Sequence, residues 1–302
     1  MAISRSQLLK ELLPGLNALF GLEYSKYGDE HAEIYETETS DRSFEEETKL
    51  SGFGSAPTKS EGASIEYDTA QEAFTARYTH ETVAMGFAIT EEAIEDNLYD
   101  SLSARYTKAL ARAMAYSKQV KAASLLNGAF SGTTYGDGST LCATDHALVN
   151  GGSNSNRPTV GADLNETSLE AAVIQIGQWT DERGLKIATQ PKKLIIPSDL
   201  QFVATRLLET EGRVGTADND INALSNNGSV PGGYTVNHYL TDNNAWFLTT
   251  DIPNGMKHFV RAKMATSMDA DFDTGNSRYK ARERYSFGVS DPLGIFGSPG
   301  AS

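Results

Sequence analysis

Residues 90–128, TEEAIEDNLYDSLSARYTKALARAMAYSKQVKAASLLNG, carry the strongest local signal in the chain. Thr90 is a good N-cap, and Glu91, Glu92, Glu95, Asp96 and Asp100 crowd the first turns. Arg105, Lys108, Arg112, Lys118 and Lys121 fill the second half, before Asn127-Gly128 ends the pattern. Acid first and base last complements the helix macrodipole, each charge near an end contributing about 0.3–1 kcal/mol. Apolar residues recur at Ile94, Leu98, Leu102, Tyr106, Leu110 and Met114, then at Val120 and Leu125. With neither Gly nor Pro between Glu91 and Asn127, the spacing predicts one unbroken helix of roughly 55 Å at 1.5 Å per residue. Globular helices average about a dozen residues. A compact domain has little use for such a rod; a flat, elongated subunit does.

Upstream, residues 44–80 read as an extended two-stranded excursion. Phe44 to Leu50 supplies one arm, and Ile65–Thr69 and Phe74–Tyr78 alternate with the period of strands. Between them SGFGSAPTKSEGAS (51–64) has the composition of a loop or broad hairpin tip. A hairpin that long is marginal alone and makes more sense lying across another chain. Before it, Leu8, Leu9, Leu12, Leu13, Leu16, Leu19 and Phe20 have helical spacing, and Pro14-Gly15 is expected to split or stop that helix. Two readings stand: a helix docked on its own core, or an arm docked on a neighbour.

Downstream of two glycine-rich stretches comes a compact α+β pattern. Thr167 or Ser168 caps a helix with Leu169, Ala172, Val173 and Ile176 on one face, closing at Gly184. Lys193–Ile196 reads as a buried strand ended by Pro197. A helix from Ser198 to Gly212 and strands at Tyr234–Leu240 and Trp246–Thr249 follow.

Charge is segregated along the 302 residues, whose 26 Lys+Arg and 40 Asp+Glu give a net charge of −14. Residues 29–47 carry nine acids against Arg42, while residues 257–284 carry seven cations and four acids. These segments could satisfy one another within a subunit or between neighbours. The acidic balance argues against a dedicated nucleic-acid reader. No stretch approaches the ~18 apolar residues of a membrane span, and Lys10, Glu11 and Pro14 interrupt any signal-peptide core. Cys142 has no partner for a disulfide, so a reducing cytoplasm is expected.

Catalytic patterns are missing. Asp269-Ala270-Asp271-Phe272-Asp273 imitates a calcium loop but has Thr274 and Lys280 where Gly and Glu are needed; it also suits a strand with one wet face. The five histidines are scattered, with no zinc spacing. There is no nucleophile elbow and no phosphate loop; Gly136–Thr140 reads as a turn. Cys142 lies four residues before His146, but a buried thiol is the better reading. No metal or cofactor is expected.

This order of arm, flexible hairpin, long helix, α+β core and basic strands resembles the major capsid proteins of tailed bacteriophages, which share the Hong Kong 97-type fold. YTHETVAMGFAITEEAIEDNLYDSLSARYTKALARAM (78–114) looks like that family's entry into its spine helix, especially in the Mu-like major head subunit branch. LLNGAF, DGSTLCATDHAL, KLIIPSDL, NDIN and AWFLTTDIPNGMKHF look like family segments in the expected order, and together these words cover Gly52 to Gly297. The resemblance implies an α+β chain with an N-arm at 1–40, an E-loop at 41–86, a P-domain spine helix at 87–128, an A domain at 129–255, and P-domain strands and tail at 256–302. It implies a non-enzymatic subunit forming pentamers and hexamers of an icosahedral shell around phage double-stranded DNA, in a virion assembled in the host cytoplasm. The implied partners are further copies of the chain, a scaffolding protein, a portal protein and a decoration protein, with nonspecific DNA contact and no membrane. Having no long charged N-terminal extension, the chain is expected to use a separate scaffold. No cross-linking residues are carried over.

From the charge segregation we expect Glu33, Glu36, Glu38, Glu45, Glu46 and Glu47 of one subunit to meet Arg278, Lys280, Arg282 and Arg284 of a neighbour, with Lys59 at the exposed hairpin tip. Two alternatives remain: an encapsulin-like compartment of the same fold, and a cytoplasmic hydrolase with an unseen catalytic group.

Overall fold

The computed structural model describes residues 5–90, 92, 99–212, 220–271 and 275–301, and side chains throughout these except at 5–12, 99–102 and 270. Helix α1 spans Arg5–Tyr24; β1 is Glu36–Thr39, β2 Phe44–Leu50, β3 Glu72–Thr79 and β4 Glu81–Ile89. Helix α2 spans Tyr99–Asn127, and short strands β5 (His146–Ala147) and β6 (Ser153–Asn154) follow. Then come α3 (Glu166–Gly177), β7 (Pro191–Ile196), α4 (Gln201–Leu208), the one-turn α5 (Ala223–Asn226), β8 (Tyr234–Val236) and β9 (Trp246–Thr250). The chain closes with β10 (Met256–Ala270), β11 (Ser277–Val289) and β12 (Ile295–Ser298).

Two four-stranded sheets result, ordered β1-β10-β11-β4 and β12-β9-β7-β8. The first is long and narrow because β10 and β11 form an extended antiparallel ribbon, paired from Met256↔Val289 to Ala270↔Ser277. Its period-two pattern puts Tyr279, Ala281, Glu283 and Tyr285 on the buried face. Helices α1 and α2 cover that face: Leu16 and Phe20 meet Leu110, Ala111 and Met114 against Tyr279 and Ala281. The 29 residues of α2 make a rod of about 43 Å. The expected first turns, with Glu91 and Ile94 to Leu98, lie outside the described residues.

Helix α1 continues through Pro14 rather than stopping there. Proline inside a helix costs about 3 kcal/mol, whereas full burial of a side chain such as Leu16 or Phe20 contributes about 1.5–3 kcal/mol. Docking of both on α2 therefore outweighs the break, and Pro14 stays on the exposed side. The arm lies on its own core; the expected apolar contributions of Leu8, Leu9 and Leu12 fall where side chains are not described.

The second sheet forms the compact domain. In β7 Leu194 and Ile196 face the cluster of Leu169, Ile176, Trp246 and Phe296, while Ile195 faces Leu126, Cys142, Phe247 and Ile295. Both faces are covered, which explains the uninterrupted apolar run. The cap of α3 is Asn165, reciprocally bonded with Ser168, and the helix ends at Gly177, not Gly184. Trp179 ends it: its indole donates to the Ser155 carbonyl at 2.8 Å and its ring is buried. The Ser198–Gly212 helix is a 3-10 turn followed by α4, and the expected Tyr234–Leu240 strand stops at Val236.

The excursion is a two-stranded ribbon, β2 on β3, from Phe44↔Thr79 to Leu50↔Glu72. Residues 51–71 beyond it have no regular secondary structure. Ile65–Thr69, expected as a strand, pairs with nothing in the ladder, and its Ile65 and Tyr67 are 66% and 91% exposed.

Candidate assembly interface

The Cys142–His146 pair is tied down. Cys142 is fully buried, and burial pushes its thiol well above the ordinary range. His146 Nδ1 meets Asp137 Oδ2 at 2.7 Å and its Nε2 faces the Leu141 carbonyl at 3.2 Å, so neither ring nitrogen is free to take a proton from Cys142. Among the described residues no three His, Cys, Asp or Glu side chains converge as a metal site. The wet-faced strand reading holds for Asp269 in β10, while 272–274 lie outside the described residues.

The surfaces are more informative. The acids of 29–47 find cations in their own chain. Strand β1 runs parallel to β10, pairing Glu36↔Lys257 and Glu38↔Phe259. The nearly buried Lys257 ammonium bonds Glu38 Oε1 at 2.8 Å and also Glu47 Oε1. Burial pulls the Lys257 pKa down, and the two carboxylates overcome that and raise it. Glu33 pairs with Lys193, Glu46 with Arg77 at 3.7 Å, and Glu45 accepts from Ser40 Oγ at 2.7 Å. Expected between subunits, the charge segregation of Glu33, Glu38, Glu46 and Glu47 is met within one. Glu36 remains exposed on β1. The signal that could have shown this is a long-range parallel pairing, which no local pattern reveals.

A second clamp went unseen in the sequence. Lys49 on β2 reaches Glu182 at 3.1 Å and Asp291 at 2.9 Å. Burial works against its charge, and Asp291 followed by Glu182 more than restores it. Further along, Arg183 Nη2 donates to Asp68 Oδ1 and to the Thr69 carbonyl, both at 2.8 Å. The ribbon is thus tied along β2, at Glu47 and Lys49, and touched once beyond its last ladder pair, at Asp68 and Thr69. The segment beyond presents Phe53, Ile65 and Tyr67 to solvent, with Lys59 also exposed.

The bare face of the long sheet carries the basic residues. Alternate positions of β11 put Arg278, Lys280, Arg282 and Arg284 on one side, about 6.7 Å apart along the strand. Arg278 pairs with Asp271 at 2.6 Å; Lys280 and Arg282 are exposed and Arg284 half-buried. The structure therefore brings these four together in one row, but not with the acids of 29–47.

A clamped two-stranded ribbon whose end exposes apolar side chains, and a long sheet with one charged face, are surfaces fitted for contact with other chains. A family described as phage capsid protein matches residues 72–297, and the chain belongs to that family. The fold is similar to the virus-like particle from Pyrococcus furiosus at 11% identity, with a TM-score of 0.54 over 95% of this chain and 99% of that one. It is similar to the capsid of the cyanophage P-SCSP1u at 12% identity and TM-score 0.58, over 87% and 85%. It is also similar to the capsid of an empty GTA particle at 15% identity and TM-score 0.56, over 90% and 89%. No curated protein sequence matches. At such identities the likeness establishes the fold, the α+β Hong Kong 97-type capsid fold.

Proposed function

We propose that the chain is the major structural subunit of a phage head, assembling through pentamers and hexamers into an icosahedral shell around double-stranded DNA, without an enzymatic role. The observation that carries this reading is the clamped ribbon ending in 51–71, whose exposed Phe53, Ile65 and Tyr67 gain nothing in an isolated monomer. A segment that buries none of these side chains in its own chain leaves its contact area for a neighbouring copy. In this reading 1–40 is the N-arm, 41–86 the E-loop, 87–128 the spine segment, 129–255 the A domain and 256–302 the returning strands. Glu36, Glu45, Lys59, Lys280, Arg282 and Arg284 are the members of the charge-based set that subunit contacts engage, with a scaffolding protein guiding closure, a portal protein at one vertex and assembly in the host cytoplasm.

Sedimentation velocity and negative-stain microscopy of the chain, alone and with its candidate scaffold, test this. Closed shells, or five- and six-membered rings, are expected, and particles from infected cells should hold nuclease-protected DNA. Shells closing around a protein cargo would replace the phage head by an encapsulin-like compartment. A monomer under both conditions would overturn the shell reading.

A further inference from the structure

The pairing of β10 with β11 is interrupted twice, and the first interruption brings two arginines together. Val260 pairs with Tyr285 and Ala262 with Arg284, so Arg261 is the extra residue of a bulge facing Arg284. Beside it the chain passes from β3 into β4 at the buried His80. That ring is tied at both nitrogens, Nδ1 to Ser286 Oγ at 3.0 Å and Nε2 to Ser40 Oγ at 2.9 Å. Burial first, then the Arg284 charge and, against the pull of Glu45, the Arg261 charge hold the His80 pKa below the ordinary histidine value. Both guanidinium groups thus stand near one imidazole.

Neither guanidinium is neutralised. Among the described cations of β10 and β11, Lys257 and Arg278 have carboxylate partners, and Arg261 and Arg284 have none. The Nε of each is shielded from water and has no acceptor. Arg157 and Arg183 share that state, but their charge is met otherwise. Arg183 donates from Nη2 to Asp68 and Thr69, and Arg157 lies over the Phe130 ring at 5.4 Å. Glu45, the nearby carboxylate, accepts from Ser40 Oγ at 2.7 Å and bonds neither Arg261 nor Arg284. Two half-buried like charges side by side repel, and the Nη nitrogens of both are left without an acceptor.

We propose that Arg261 and Arg284 together hold a small tetrahedral oxyanion, phosphate, in the unassembled subunit. Phosphate can accept a fork of hydrogen bonds from each guanidinium, and its charge removes their repulsion. The Ser40 and Ser286 hydroxyls occupy both nitrogens of His80, so that ring is a wall of the site and not a ligand. The bound ion ties β10 to β11 across the bulge, where the ladder itself is interrupted. A subunit contact that engages Arg284 displaces it. The site goes beyond the shell reading and does not depend on it.

The test is equilibrium dialysis of the dilute full chain against radiolabelled phosphate, with sodium chloride holding the ionic strength constant, and thermal unfolding in the same solutions. One phosphate per chain is expected, and Tm should climb once phosphate exceeds its dissociation constant. Arg261→Gln with Arg284→Gln should weaken binding about tenfold or more and remove the effect on Tm. Lys280→Gln with Arg282→Gln takes the same charge from the same sheet face and should leave both readings unchanged. Equal loss in that control, or an equal rise in Tm with chloride alone, would reduce the effect to screening and overturn the site. Full binding by the Arg261/Arg284 variant, or no bound phosphate on wild type, would overturn it as well. Should the glutamine form fail to fold, Arg261→Lys with Arg284→Lys keeps both charges and loses the forks. That form should bind several-fold more weakly than wild type, and equal binding would contradict the proposal.

Discussion

Replacing Lys257 by Met removes one ammonium and keeps most of its volume. The side chain is 3% exposed, and its nitrogen sits between Glu38 at 2.8 Å and Glu47. Breaking a buried ion pair by deleting one partner costs about 3–5 kcal/mol, because a charge is left unpaired and dry. Here Glu38 and Glu47 are 41% and 27% exposed, so water recovers part of the loss. Exposed pairs contribute only about 0.2–1 kcal/mol, and an intermediate loss of about 2 kcal/mol follows from the two limits. Urea unfolding of the unassembled subunit, followed by tryptophan fluorescence, should show the midpoint fall without a change in slope. Adding Glu38→Gln and Glu47→Gln should restore at least half of the loss, since the repelling carboxylates are then gone. A single variant as stable as wild type would refute the claim that charge ties β2 to β10. So would a triple variant no better than the single one.

Acid should weaken the subunit through two buried imidazoles. Burial first, then Lys118 and the neighbouring His31, depress His258 to about 3, and burial with Lys118 also lowers His31. The unfolded chain therefore binds more protons between about pH 3 and the ordinary histidine value near 6.5, so this stability is complete above that value and drains as the pH falls through the window. Glu283, raised mainly by burial, has the opposite sign within its own window; comparing wild type with His258→Gln in urea from pH 4 to 7 isolates the histidine, and an unchanged slope would contradict the assignment. Gly297→Ala places a methyl within 2.8 Å of Cys142 Sγ and of the Phe247 ring. A loss of about 1–3 kcal/mol is expected from such overpacking, seen as a lower Tm; an unchanged Tm would mean that β12 is not packed as described. The Cys142 thiol should react with a disulfide reagent only on unfolding, and stoichiometric labelling of the folded chain would show that it is not buried.

Elements held by local pattern were legible in the sequence. The described part of α2 follows its apolar spacing, and β2 and β3 follow their alternation. Alternation alone misled at Ile65–Thr69, because a period of two becomes a strand only where a partner supplies the ladder, and none lies opposite. Pro14 misled in the other direction, since tertiary docking of Leu16 and Phe20 overrides the local break. Strand β12 was missed because Ile295–Ser298 is short and joins β9 from far along the chain. The charged surfaces were half legible: the cation row follows from alternate residues of one strand, while its separation from Glu38 and Glu47 depends on Lys257 reaching across the β1–β10 pairing. Charge composition shows which signs can meet, but not which residues do so or in which copy.

Hydrogen–deuterium exchange on free and assembled subunits tests the central claim most directly. If the ribbon exists to lie on neighbours, amides across 51–71, which have little regular hydrogen bonding in the isolated chain, should become strongly protected on assembly. Those of β7 and β9, already buried on both faces, should change little. Equal exchange of 51–71 in both states would contradict the account.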